Sequence, residues 1–104
     1  MGRHGCLSVA EVLEVHLMAD MINILVKAPG EDWKKVTIED ELSEYQRIVG
    51  GYIETYFLGD HTLILCNEEG WLNNLPYNCE MDETQFCGTL IMCKQDGEEF
   101  ASIW

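Results

Sequence analysis

The segment SEYQRIVGGYIETYF, residues 43 to 57, changes its hydrophobic period at Gly50-Gly51. Before the pair, Leu42, Tyr45, Ile48 and Val49 recur at the spacing of one helical face. After it, Tyr52-Ile53-Glu54-Thr55-Tyr56-Phe57 alternates with period two and is rich in aromatic and β-branched residues, as a strand requires. A helix ends readily on a left-handed residue, a conformation that costs glycine little, so Gly50 is the expected stop. Gly51 then lets the backbone pass close to a neighbouring element as the strand begins. Asp40 is the expected cap of the helix.

This junction sits inside a pattern of strands. Residues 21 to 28 are rich in Ile, Leu and Val and end on Pro29-Gly30; the run from Trp33 to Ile38 then alternates, which predicts a hairpin. Gly59-Asp60 makes a tight turn before Thr62 to Cys66, an unbroken apolar run expected to be covered on both faces. Residues 67 to 84 read as a long polar and aromatic loop interrupted by a turn of helix. Order returns in a strand from Phe86 to Cys93, and Asp96-Gly97 signals a last hairpin ending at Trp104. The expected fold is α+β: a single, mainly antiparallel sheet of about five to six strands packed by one central helix.

Residues 1 to 20 read as an N-terminal extension. Ser8 and Glu11 have the spacing of a capping box, and that of Val9, Val12, Leu13, His16 and Leu17 predicts one face of a short amphipathic helix. Met18 and Met21 offer alternative starts, so the domain proper is taken as 21 to 104.

Charge narrows the function. Nineteen acids oppose six Lys and Arg, a net of -13 in 104 residues, yet 47% of the chain is apolar. That apolar share argues for a packed domain instead of an acidic disordered tail. So negative a surface repels nucleic-acid phosphates and anionic membranes, and basic proteins are its electrostatic match. No apolar run reaches the length of a membrane span, and the first residues lack a signal peptide's apolar core, so a cytoplasmic location is expected. Cys6, Cys66, Cys79, Cys87 and Cys93 form an odd set without a close pair. Reduced, semi-buried thiols are expected, with no metal site and no cofactor.

Ile48-Val49-Gly50-Gly51-Tyr52-Ile53-Glu54, Cys66-Asn67-Glu68-Glu69-Gly70 and Leu72-Asn73-Asn74-Leu75-Pro76-Tyr77-Asn78, followed by Gly88-Thr89, resemble in order the segments of a protein family. It is domain of unknown function 3846, found in bacteriophages and bacteria. The resemblance spans about residues 21 to 93. It implies a mobile-element setting and a bacterial host cell more than an activity. In many relatives an arginine follows the asparagine of the loop; here Cys79 follows Asn78, so no anion-binding role is carried over from it.

The candidate site is the loop. Trp71 and Tyr77 are placed to stack a planar group while Asn67, Asn73, Asn74 and Asn78 offer donors and acceptors; Glu54, Glu68 and Glu69 complete a ligand- or partner-binding set. The same residues also read structurally, with Glu68-Glu69-Gly70 as a turn and the asparagines bonded to local backbone. His61 beside Asp60 reads as a turn residue, and no nucleophile stands in a motif, so an enzyme is not expected. Two functions fit. One is a non-enzymatic protein binding a basic partner, an inhibitor of a host defence or nucleic-acid-handling protein of the anti-CRISPR or antirestriction kind. The other is a binder of a nucleotide-like small ligand through residues 67 to 78. An exposed edge such as the final strand would let the chain form a dimer.

Overall fold

Among residues 20–104 the strand-like runs become strands and the period-3.6 run from Leu42 to Val49 becomes the helix. The computed structural model describes residues 20–104. In order these form β1 (Met21–Lys27), β2 (Lys34–Glu39), α1 (Leu42–Val49), β3 (Ile53–Gly59), β4 (Thr62–Asn67), β5 (Tyr77–Met81), β6 (Thr84–Cys87), β7 (Leu90–Asp96) and β8 (Glu99–Ala101). The fold is α+β, with a six-stranded main sheet ordered β2-β1-β7-β4-β3, β8 lying beside β7, and a two-stranded second sheet, β5-β6. Every strand pair is antiparallel.

The sheet is organised around β7. On one side it pairs with β4 from Thr62↔Lys94 to Leu65↔Ile91. On the other, its first half pairs with β1 (Lys27↔Leu90) and its second half with β8 (Lys94↔Ala101). Beyond β8 the chain runs back along β1, where Ile103 N–H donates to Asn23 O at 2.9 Å and the Trp104 indole N–H to Ile24 O at 2.8 Å.

Both faces of the sheet are covered, and strand alternation decides which residue faces which layer. Ile22, Ile24, Ile38, Leu63, Leu65, Ile91 and Cys93 meet Tyr45 and Val49 of α1. Phe100 meets the Tyr45 ring edge-on, 5.1 Å between centroids. On the opposite face Ile64 and Leu90 pack on Phe86 of the β5-β6 hairpin, whose ring meets Tyr56 at 5.5 Å. Ile24, Ile64, Leu65, Leu90 and Ile91 are 0% exposed; sealing each such side chain contributes roughly 1.5–3 kcal/mol. The run from Thr62 to Cys66 is thus covered on both sides, as its composition predicts.

Three local expectations are corrected. The helix is capped by the extended Glu41, with no side-chain cap bond; Asp40 instead accepts a hydrogen bond from the buried Tyr45 hydroxyl, a partner one turn further on that the N-terminal amides cannot match. The long loop is shorter than predicted, because residues 77 to 87 form the β5-β6 hairpin around Asp82 and Glu83, both left-handed at φ 50° and 62°. The strand expected from Phe86 to Cys93 breaks at Gly88, φ 75°, so that β6 serves the hairpin and β7 the main sheet. The helix expected within residues 1 to 20 lies outside the described residues. Among the described residues no helix is long and apolar enough to cross a membrane.

Candidate functional site

The loop from Glu68 to Pro76 is built on Asn67, the last residue of β4. Its carbonyl accepts from Gly70 N–H at 3.1 Å and its side-chain Oδ1 from Glu69 N–H at 2.8 Å, turning the chain sharply. Its Nδ2 donates to Val49 O at 3.2 Å, one of the carbonyls that the end of α1 leaves without an intrahelical partner. Gly50 takes the left-handed position expected of it, φ 81°, and both Gly50 and Gly51 N–H groups return to Gln46 O. Gly51 passes so close that a Cβ there would lie 2.9 Å from Asn67 Nδ2. The Val-Gly-Gly and Asn-Glu-Glu-Gly segments are therefore two halves of one joint between helix and loop.

One helical turn follows. Asn73 N–H reaches Glu69 O at 2.9 Å, and the turn closes as a Schellman motif, with Leu75 N–H on Gly70 O at 2.9 Å and Asn74 N–H on Trp71 O at 3.2 Å. Asn74 occupies the left-handed position, φ 55°, that asparagine tolerates. The turn leaves Trp71, Leu72 and Asn73 on the surface, with Trp71 60% exposed.

Against this loop lies a cleft of about 130 Å³ between the hairpin-side face of β3-β4 and strand β6. Glu54, Glu68 and Trp71 line it, Tyr56 and Phe86 give it aromatic walls, and the Cys66 and Cys87 thiols also border it. Burial, reinforced by the Glu54 carboxylate, pushes the Cys66 thiol up to about 11, and burial also raises Cys87, so both line the cleft as neutral, weakly polar groups at ordinary pH. A larger depression, about 290 Å³, opens on the other side of the joint, lined by Gln46, Gly50, Gly51, Tyr52, Asn67, Glu69 and Asn73.

The predicted set is thus divided. Glu54, Glu68 and Trp71 share the first cleft and Glu69 and Asn73 the second, while Asn67, buried, separates them. Asn74 and Tyr77 line neither, so the two aromatic rings are not brought to one pocket. Asn78 is buried and fixes the hairpin: its Nδ2 donates to Lys27 O and Gly88 O, each at 2.8 Å, and its Oδ1 accepts from Lys27 Nζ at 2.6 Å. Tyr56, Gln85 and the two thiols were not anticipated in the cleft. Alternation of Cys79 and Met81 with Asn78 and Glu80 was the available sign of a strand there. Asp60 and His61, left-handed in the β3-β4 turn, line neither cleft.

Electrostatically the cleft is one-sided. Lys27 is bonded to Asn78, Lys34 to Glu31, Arg47 to Glu44, and Lys94 to Thr62 Oγ1 and Asp60 O, while Lys35 lies 5.3 Å over the Trp104 ring. None of these cations lines either cleft, and Glu54 and Glu68 are exposed. Among the described residues no group of three His, Cys, Asp or Glu is placed to hold a metal ion, and Cys66, Cys79, Cys87 and Cys93 are free thiols.

No curated protein and no solved structure matches the chain. The family model described as "Domain of unknown function (DUF3846)" matches residues 22–103, a span that holds both halves of the helix-loop joint, the cleft and all of the sheet but its first residue, Met21, and the chain belongs to that family.

Proposed function

We propose that the protein acts by binding, as a small acidic accessory factor of a mobile element that occupies a basic surface on a host defence or other nucleic-acid-handling protein. One observation carries this reading: the cationic side chains in the described residues are engaged within the fold and absent from both clefts, whereas Glu54 and Glu68 stand exposed around Trp71. A lysine or arginine side chain fits such a place. Its stem would lie on Tyr56 and Phe86, its charge between carboxylates, and its face on the indole, an interaction worth about 0.5–1 kcal/mol at an exposed site. The cleft is well below the roughly 300–1,000 Å³ usual for small-molecule pockets, which suits one side chain of a partner.

Capture of a nucleotide-like ligand has less support. A phosphate entering the cleft would meet carboxylates and no cation.

The test is titration of the full chain against basic nucleic-acid-binding proteins and against oligoarginine and oligolysine peptides, at low and high salt. The expected result is association that weakens steeply as salt rises. Absence of binding, or binding indifferent to salt, would overturn the proposal.

A further inference from the structure

The two ends of the β2-β1-β7-β4-β3 order differ. The β2 edge carries Lys34, Lys35 and Glu39, charges that discourage another strand. The β3 edge has a single charge, Glu54, and no proline. Which backbone groups it leaves open follows from its contacts. Tyr52 O accepts from Glu68 N–H at 2.8 Å, and Glu54 O lies 3.7 Å from the Sγ of Cys66, its registered neighbour. Residues 52 and 54 therefore turn their backbone toward β4, and by the alternation of an antiparallel ladder Ile53, Thr55 and Phe57 turn theirs away. No strand among the described residues pairs with that side. Thr55 and Phe57 are exposed, Phe57 by 56%.

We propose that this edge pairs with the β3 edge of a second copy of the chain, antiparallel about a two-fold axis through Thr55. In that register Thr55 faces Thr55, and Ile53 faces Phe57 on either side, so the three outward residues of each strand exchange about six N–H···O bonds. Phe57 gains the apolar cover it lacks in one chain, as an aromatic on β-branched cross-strand pair. On the other face Glu54 sits opposite Tyr56. The neighbouring registers that also match outward groups are worse: an axis through Glu54 sets two carboxylates directly opposite, and one through Tyr56 runs into the irregularity between Phe57 and Gly59.

Two chains of net charge -13 repel at long range. Salt screens that repulsion over about 8–10 Å. The dimer therefore tightens as salt rises, the opposite sign from docking on a basic partner, and the two associations can be told apart by that sign.

The test is sedimentation equilibrium of the full chain over a wide concentration range at low and high salt. Wild type is expected to dimerise, with a dissociation constant that falls as salt is added. Thr55→Pro removes an N–H that no strand among the described residues accepts, so it is expected to keep the circular dichroism spectrum and lose the dimer. Thr55→Lys, with like charges at the axis, is expected to weaken the dimer at least tenfold, whereas Glu98→Gln, the same change in net charge at the β7-β8 turn, leaves it intact. A chain monomeric at every concentration in high salt, or a dimer indifferent to Thr55→Lys, would overturn the proposal.

Discussion

The side chain of Asn67 fills the space that a Cβ on Gly51 would need, 2.9 Å from its Nδ2. The amide cannot swing clear at no cost, because it is buried and bonded to both Val49 O and Glu69 N–H. Gly51→Ala is expected to destabilise the fold by about 1–3 kcal/mol through overpacking. Asn67→Ala, which strands a carbonyl and an amide, is expected to cost about 2–4 kcal/mol. Urea denaturation of the double variant should give less than the sum, since removing the amide removes the clash. Strict additivity would show that the two residues do not share this space.

Asn78 holds the β5-β6 hairpin to the sheet by three bonds to Lys27 and Gly88. Asn78→Leu leaves the Lys27 and Gly88 carbonyls without that donor and is expected to cost about 2–4 kcal/mol, near the sum of two such losses. Hydrogen exchange should speed up first in residues 77 to 87 and only weakly in β1 and β7. Uniform acceleration across the sheet would argue that the hairpin is not a separate unit.

Glu54→Gln and Glu68→Gln each remove one carboxylate from the cleft. Each is expected to weaken binding of an oligoarginine peptide by about two- to fivefold, in line with ion pairs worth up to about 1 kcal/mol at exposed positions. Trp71→Ala should act similarly. Glu98→Gln, remote from the cleft, should change affinity by less than twofold. Equal effects at all positions would assign the binding to the overall field instead of the cleft.

Burial pushes the Cys93 thiol up to about 12 and the Cys66 thiol up to about 11, from an ordinary value of 9.0. A thiol in the unfolded chain loses its proton near pH 9, while these keep theirs when folded, so stability is fully present below pH 9 and falls as pH rises toward 11 and 12. Urea midpoints measured across that window are expected to decline, and the decline should be shallower in Cys93→Ala even though that variant starts less stable. Cys93 should also resist alkylation at neutral pH under native conditions.

The sequence carried the large features because they rest on period and on glycine chemistry. The switch at Gly50-Gly51 is visible since only glycine is indifferent to the left-handed turn, and Thr62 to Cys66 is visible since a strand covered twice has no polar phase. The β5-β6 hairpin was hidden because its turn is Asp82-Glu83, two residues that adopt φ 50° and 62° without the usual glycine, and because one face of its alternation is thiol and thioether, not aliphatic. The site was legible as a neighbourhood but not as a geometry. Asn67 and Asn78 look like ligand-binding amides in sequence, and both are buried supports whose partners, Val49 and Lys27, lie 18 and 51 residues away.

The position of β7 between β1 and β4 sets an order of assembly. As the chain leaves the ribosome, β1-β2 and β3-β4 can each zip locally, but neither hairpin has a neighbour to join until residues 90 to 96 arrive and are threaded between them. That topology predicts a late, long-range insertion as the slow step of folding, with a nascent chain halted before it exposing the unpaired edges of β1 and β4.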